Sequence, residues 1–295
     1  MNDATNNPTT TKLRDLIGLV DDLDAQNCDA LATGRPRGPV TGLFELDDAI
    51  GGALPAGLII LQGAPGAGKS ALGLQIAADC QFPALIVSAE MAPVELFFRL
   101  IARHSGEFLG RLKTGELGRG KLTRLATETA KAHPHLTILD ATKGGATLDK
   151  IEAALDPGRS LILVDSLHIW ALGLTKGLPV TEYDGLGLAL TTLTALATQT
   201  RSPVVTIAHR NRQGQKGGGL HAAKGHGGIE YAAELVFDLN LSDETWDEGT
   251  EKAVNLTIEK NRHGAAGYSV ELIFTGALQS FRQKHETRRR RGATK

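Results

Sequence analysis

The 295-residue sequence predicts an α/β fold: a mainly parallel central sheet with helices on both faces and an antiparallel hairpin near the carboxyl end. Three observations carry this. Four short apolar runs, "GLIILQ", "ALIV", "LILV" and "PVVTI", alternate with stretches whose apolar residues recur at helical spacing. Two later runs, "AVNLTIEK" and "YSVELIF", alternate apolar with polar residues on either side of a glycine-containing turn, the pattern of paired antiparallel strands. With 41% hydrophobic residues, the chain can also bury a full core.

Residues 1–39 form an extension with one predicted helix, "KLRDLIGLVDDLD", and the loose linker "ATGRPRGPV". Residues 40–282 hold the alternating strands and helices, and residues 283–295 are a basic tail whose commonest fate is a solvated, disordered run. The opening segment has no apolar stretch behind a basic start, and no run approaches the roughly 18 apolar residues of a membrane span. A cytoplasmic protein is expected. Cys28 and Cys80 have no CxxC or Cys/His spacing around them, which argues against a zinc site and a disulfide framework. The net charge of −1 hides an asymmetry: residues 282–295 carry seven Lys/Arg against one acid, leaving 25 basic and 32 acidic groups in the body. An acidic body repels phosphates, so any nucleic-acid contact must come from local patches.

The first strand, "GLIILQ", runs into "GAPGAGKS" and then the helical "SALGLQIAADC". Gly63, Gly68, Lys69 and Ser70 fit the phosphate-binding pattern GxxxxGK[ST]. Glycines let the main chain of Gly63, Ala64, Pro65, Gly66, Ala67 and Gly68 wrap close to phosphate oxygens, and the following helix adds the positive end of its dipole. Lys69 would reach the β and γ phosphates, and the Ser70 hydroxyl would ligate Mg²⁺. The alternative is a glycine turn that matches by accident, which the strand before and the helix after weigh against.

The remaining strands end in candidate site residues. "LILV" delivers Asp165, positioned to hold Mg²⁺ through water or merely to end a core strand. "PALIVSAEM" ends in Glu90 before a helix opened by Pro93; that carboxylate could orient an attacking water or complement the helix dipole. "SPVVTIAH" ends in His209, which could sense a γ-phosphate or have no role.

The order of these motifs resembles the RecA-type motor domain of DnaB-like replicative helicases, within the broader RecA/RadA/KaiC-like P-loop ATPase superfamily. The resemblance rests on "LIILQGAPGAGKSALG", "VSAEM", "LKTGEL", "LILVDSLHI", "PVVTIAHRNR" and "EKNRHGAAGYSVELIF" and covers about residues 40–282. It implies a RecA-like core that binds ATP and Mg²⁺, with Walker A at residues 63–70 and Walker B at Asp165. It implies that Glu90 activates water and that Lys260 and Arg262 reach a neighbouring subunit's nucleotide in a homo-oligomeric ring, a hexamer. Composition alone makes those two basic residues an ordinary solvated turn. The family usually has glutamine where this chain has His209, so a titratable ring replaces a neutral amide. That family carries a sizeable helical amino-terminal domain that shapes the ring and docks the primase, whereas here only about 40 residues precede the motor. A loader or primase is the further partner implied.

Two segments are candidate contacts for single-stranded DNA. The first, residues 172–185, is expected to be a loop carrying Lys176 and Tyr183. The second, residues 210–228, carries Arg210, Arg212, Lys216 and Lys224 with seven glycines and no acid. Charge and main-chain N–H groups suit backbone tracking without base reading, and with 4% aromatic residues a stacking platform is not expected. Incidental lysines on a surface loop are the alternative. The functional expectation is an ATP-driven DNA helicase acting in DNA replication. The alternatives are a RecA/RadA-type recombination or repair ATPase and a KaiC-like regulatory ATPase that does not act on DNA.

Overall fold

The computed structural model describes residues 12–143, 146–155, 160–209, 231–242 and 251–284. The chain divides into two units, Met1–Arg37 and Gly38–Lys295. In the first unit a 3₁₀ turn, Leu13–Leu16, leads into helix α1, Ile17–Thr33. This helix runs nine residues past the predicted "KLRDLIGLVDDLD", because no glycine or proline follows Asp24 until Gly34 takes the left-handed cap (φ 65°). Leu13, Ile17, Val20 and Leu23 are exposed in this unit.

The second unit starts with a short helix α2 (Phe44–Ala49). A nine-stranded sheet follows: β1 (Gly57–Gly63), β2 (Ala84–Ser88), β3 (Leu136–Asp140), β4 (Leu161–Asp165), β5 (Pro203–Ile207), β6 (Leu235–Leu241), β7 (Glu251–Asn261), β8 (Ser269–Thr275) and β9 (Ser280–Gln283), in spatial order 3-2-4-5-1-6-7-8-9. Strands β1 to β6 pair in parallel and β7 to β9 antiparallel. The apolar strands are buried on both faces, as parallel strands covered by helices must be. In β1, Ile59 and Leu61 join one core while Leu58 and Ile60 join the other. Helices α3 (Lys69–Asp79) and α4 (Pro93–Ser105) cover the first face. Helices α5 (Leu109–Thr114) and α6 (Arg119–Ala132) extend that side through a small cluster of Ile101, Ala102, Leu112 and Leu125. The opposite face carries α7 (Leu148–Ala153), α8 (Leu167–Leu174) and α9 (Glu182–Thr200).

One expectation is corrected. Residues 172–185 are not a continuous loop: α8 extends through Leu174 and α9 begins at Glu182, leaving 175–181 as the connection. The reason is local, since the Thr181 hydroxyl caps α9 by accepting the Asp184 N–H at 3.2 Å. Lys176 stays in the shortened connection, and Tyr183 moves into the first turn of α9. Three strands also go beyond the expected set: β3 at one sheet edge, β9 at the other, and β6 between β1 and β7.

Candidate functional site

Glycine shapes the loop that follows β1. Gly63 has φ 151° and lies so close to β6 that a Cβ would sit 2.0 Å from the Leu239 carbonyl oxygen. Gly68, at φ 93°, caps α3, and a Cβ there would press on Phe281 and Phe274 at 2.8–3.1 Å. Those rings stack with centroids 4.4 Å apart, forming a floor beneath the loop. Gln75 of α3 fixes that floor: its side chain donates to the Phe281 carbonyl at 3.0 Å and accepts the Phe281 N–H at 2.7 Å. The main chain from Ala64 to Gly68 thus turns in front of the positive end of an 11-residue helix.

Lys69 is buried, and its ammonium donates to the carbonyls of Gly63 and Ala64, both at 3.0 Å. Burial lowers its pKa below the ordinary lysine value, opposed by the negative charges of Asp165, Glu90 and Asp238. The sheet order explains the gathering. Strand β5 lies between β1 and β4, and β2 lies beyond β4 with Ser88 in register with Asp165, so the carboxyl ends of four strands form one edge. This is where open α/β sheets bind ligands.

Asp165 is only 2% exposed. Burial pushes its carboxyl up to about 6; the Ser70 hydroxyl hydrogen bond opposes this, Glu90 adds to it, and the Arg99 and Lys69 cations oppose it. Its Oδ1 is buried without a hydrogen-bond partner. Glu90 lies two residues past β2, exposed at the edge, and accepts a hydrogen bond from the Ser166 hydroxyl at 3.3 Å. Its own N–H and that of Ala89 donate to the Asp165 carbonyl at 3.2 and 2.8 Å, tying the two acidic segments together. Among the described residues no three His, Cys, Asp or Glu side chains are set to hold a metal by themselves. Ser70 and the unpartnered Asp165 oxygen nevertheless supply two hard donors, which fits Mg²⁺, an ion that keeps most of its waters.

His209 emerges exposed just after β5, with its ring 5.9 Å from that of His168. Lys260 lies inside β7, donating to the carbonyls of Ala233 and Tyr231 at 2.6 and 3.3 Å. Arg262 follows the strand, pairs with Glu234 at 3.0 Å and donates to the Tyr231 carbonyl at 2.9 Å. Its N–H meets the Glu234 carbonyl, level with Leu58, so Lys260 and Arg262 sit toward the sheet edge opposite the glycine loop. Arg210, Arg212, Lys216 and Lys224 lie outside the described residues.

Three residues that polarise or support this edge were not among the expected site residues. Asp238 is buried on β6 beside Gln62 of β1. Arg99 of α4 reaches the Gln279 side chain and counters the charge of Asp165. Gln75 supports the loop from below. Only the polar residue within the apolar run "LVFDL" gave a signal, and that for Asp238 alone.

The model of the DnaB-like helicase C-terminal domain matches residues 38–283, most of the chain. The chain belongs to this family. Curated relatives in the family include the replicative DNA helicase DnaB of Treponema pallidum, 25% identical over 83% of this chain and 56% of the relative, and that of Leifsonia xyli, 24% identical over 89% and 59%. The chain therefore spans little more than half the length of these DnaB proteins. Solved structures share the fold: one ATPase domain, solved by itself, superposes with a TM-score of 0.73 at 17% identity, covering 94% of this chain and 99% of that one. A DnaB-like replicative helicase described with its primase interactions gives 0.71 at 17% identity, covering 94% of this chain and 68% of that one. The RecA-like architecture extends to the RadB recombinase, with a TM-score of 0.54 at 16% identity over 82% of this chain and 97% of that one. Within the described residues of this family member, no helix is long and apolar enough to cross a membrane.

Proposed function

We propose that this chain is an ATP-hydrolysing motor of DnaB type that moves along single-stranded DNA as a homo-oligomeric ring, a hexamer, and unwinds duplex. The reading is carried by one observation: Lys69, Asp165 and Glu90, from three separate strand ends, converge on a glycine-built loop at one edge of the sheet. The motor is residues 40–282, with 1–39 as an extension and 283–295 as a tail.

In this reading the loop amides and the α3 dipole bind the phosphates of ATP, and Lys69 leaves its own carbonyls to meet the β and γ oxygens. Ser70 and Asp165 would hold Mg²⁺, which would supply positive charge against that of the phosphates. Glu90, exposed yet tethered through Ser166, orients the attacking water and takes its proton. His209 reports the γ-phosphate. The position of Arg262, level with Leu58, argues against action on its own nucleotide: five strand residues separate that level from Gly63, about 17 Å along the sheet. In a head-to-tail ring the same edge faces the next subunit, where Lys260 and Arg262 stabilise transition-state charge, a contribution of about 10³ or more in rate. Single-stranded DNA is contacted by Arg210, Arg212, Lys216 and Lys224 and by Lys176, and a primase or loader is the partner expected at a fork.

The test is ATP turnover with and without single-stranded DNA, paired with the native mass in nucleotide. Stimulated turnover by a closed ring is expected, abolished by Lys69→Ala; Arg262→Ala should bind nucleotide yet not hydrolyse it. Turnover indifferent to DNA of any form sinks the motor reading, and normal hydrolysis by an assembled Arg262→Ala ring sinks the inter-subunit role.

A further inference from the structure

The mechanism above leaves His168 without a task. It stands in the first turn of α8, three residues beyond Asp165, half-buried, with its ring tilted 51° to that of His209 at 5.9 Å. That separation is within the 4.5–7 Å range of interacting ring pairs. The two histidines come from adjacent strands, β4 and β5, and each follows its strand end at the edge where the phosphates would lie. The preceding Ala208 N–H is bonded to the Leu61 carbonyl of β1 at 3.0 Å, which fixes where the chain leaves the sheet just before His209. His168 is thus the ring set beside His209 where the chain leaves β5.

His168 in turn belongs to a short rigid element. Helix α8 is anchored on its other side by Trp170, whose indole N–H donates to the Ala146 carbonyl at 3.1 Å, and by the buried Leu167 and Ala171. Its last turn passes directly into 175–181, the connection that carries Lys176, and the Thr175 N–H and hydroxyl both bond back to Ala171. An eight-residue helix is about 12 Å long and transmits a push at one end as a rotation at the other.

We propose that His168 is a positioning residue that holds the His209 ring and relays its displacement through α8 to the 175–181 connection, coupling nucleotide state to the DNA-facing side. This rests on the proposed reading of residues 63–70 as a nucleotide site. Trp170 is the reporter, and Trp246 is replaced by Phe so that Trp170 alone emits. With Mg²⁺ and a non-hydrolysable ATP analogue, Trp170 emission should change in the full chain, and His168→Ala should remove most of the change while analogue affinity, read with a fluorescent nucleotide, stays within about threefold. His168→Gln guards against misfolding and should also lose the response, since it keeps a polar chain but no ring. Stimulation of turnover by an oligothymidylate should fall in both. Analogue binding with an unchanged Trp170 signal in the parent, or a full response in either His168 variant, overturns the relay and leaves the nucleotide site standing. No analogue binding at all overturns both.

Discussion

Asp165→Asn should make the nucleotide-free protein more stable while ending the proposed Mg²⁺-dependent turnover. Asp165 is 2% exposed, and its carboxyl titrates near 6 in the folded chain against 3.8 when unperturbed. A folded pKa above the unfolded one means that the folded state holds the proton more tightly. Stability from this group is complete below about 3.8 and is lost as pH rises through about 6. A shift of about two units corresponds to about 3 kcal/mol lost by pH 7, about half of that by pH 5 and little by pH 4. Asparagine keeps the shape and can still accept from Ser70, but it carries no charge to desolvate. Unfolding by urea without nucleotide or divalent cation should therefore show the variant ahead by about 3 kcal/mol at pH 7, roughly 6–12 °C in Tm, with the lead shrinking toward acid. A variant no more stable than the parent at pH 7, or a lead that does not shrink by pH 5, would refute the claim that this carboxylate is held in reserve at a folding cost.

Gln75→Ala should cost about 2–4 kcal/mol in chemical denaturation, because it strands the buried N–H and carbonyl of Phe281. The same change should weaken nucleotide binding by loosening the ring floor under Gly68, which nucleotide titration will read. Gly63→Ala should abolish nucleotide binding and lower Tm sharply, since its Cβ would collide with the Leu239 carbonyl, a backbone atom that cannot step aside. His133 has both ring nitrogens buried without partners, and burial, then His104, Arg103 and His135, hold its pKa below the ordinary value, with Asp79 opposing. The unfolded chain takes up that proton first, so stability should fall as pH drops below about 6.5, and His133→Phe should flatten this part of the pH–stability curve.

The glycine loop, the strands ahead of Asp165, Glu90 and His209, and the change to antiparallel pairing were all legible in the linear pattern. Each depends on neighbours within about ten residues: apolar runs bury both faces, alternation buries one, and glycine permits the loop. The 172–185 segment misled for the same reason, since Gly173, Gly177, Pro179 and Gly185 read as loop while the Thr181 cap and the packing of α8 on α9 drew both ends into helix.

Sequence by itself determined which chemical groups this protein owns and which strand end bears each: a glycine-rich loop with its lysine, an aspartate after "LILV", a glutamate after "ALIVSA". Only the tertiary structure decided that β5 separates β1 from β4, that Arg99 and Asp238 join the field around Lys69, that β9 supports the loop through Gln75, and that Arg262 is kept about 17 Å from Gly63 along the sheet. The physical reason is range. Periodicity and turn chemistry act between residues a few positions apart, whereas strand order and charge placement follow from burying every strand at once, a condition on the whole chain that no short stretch contains.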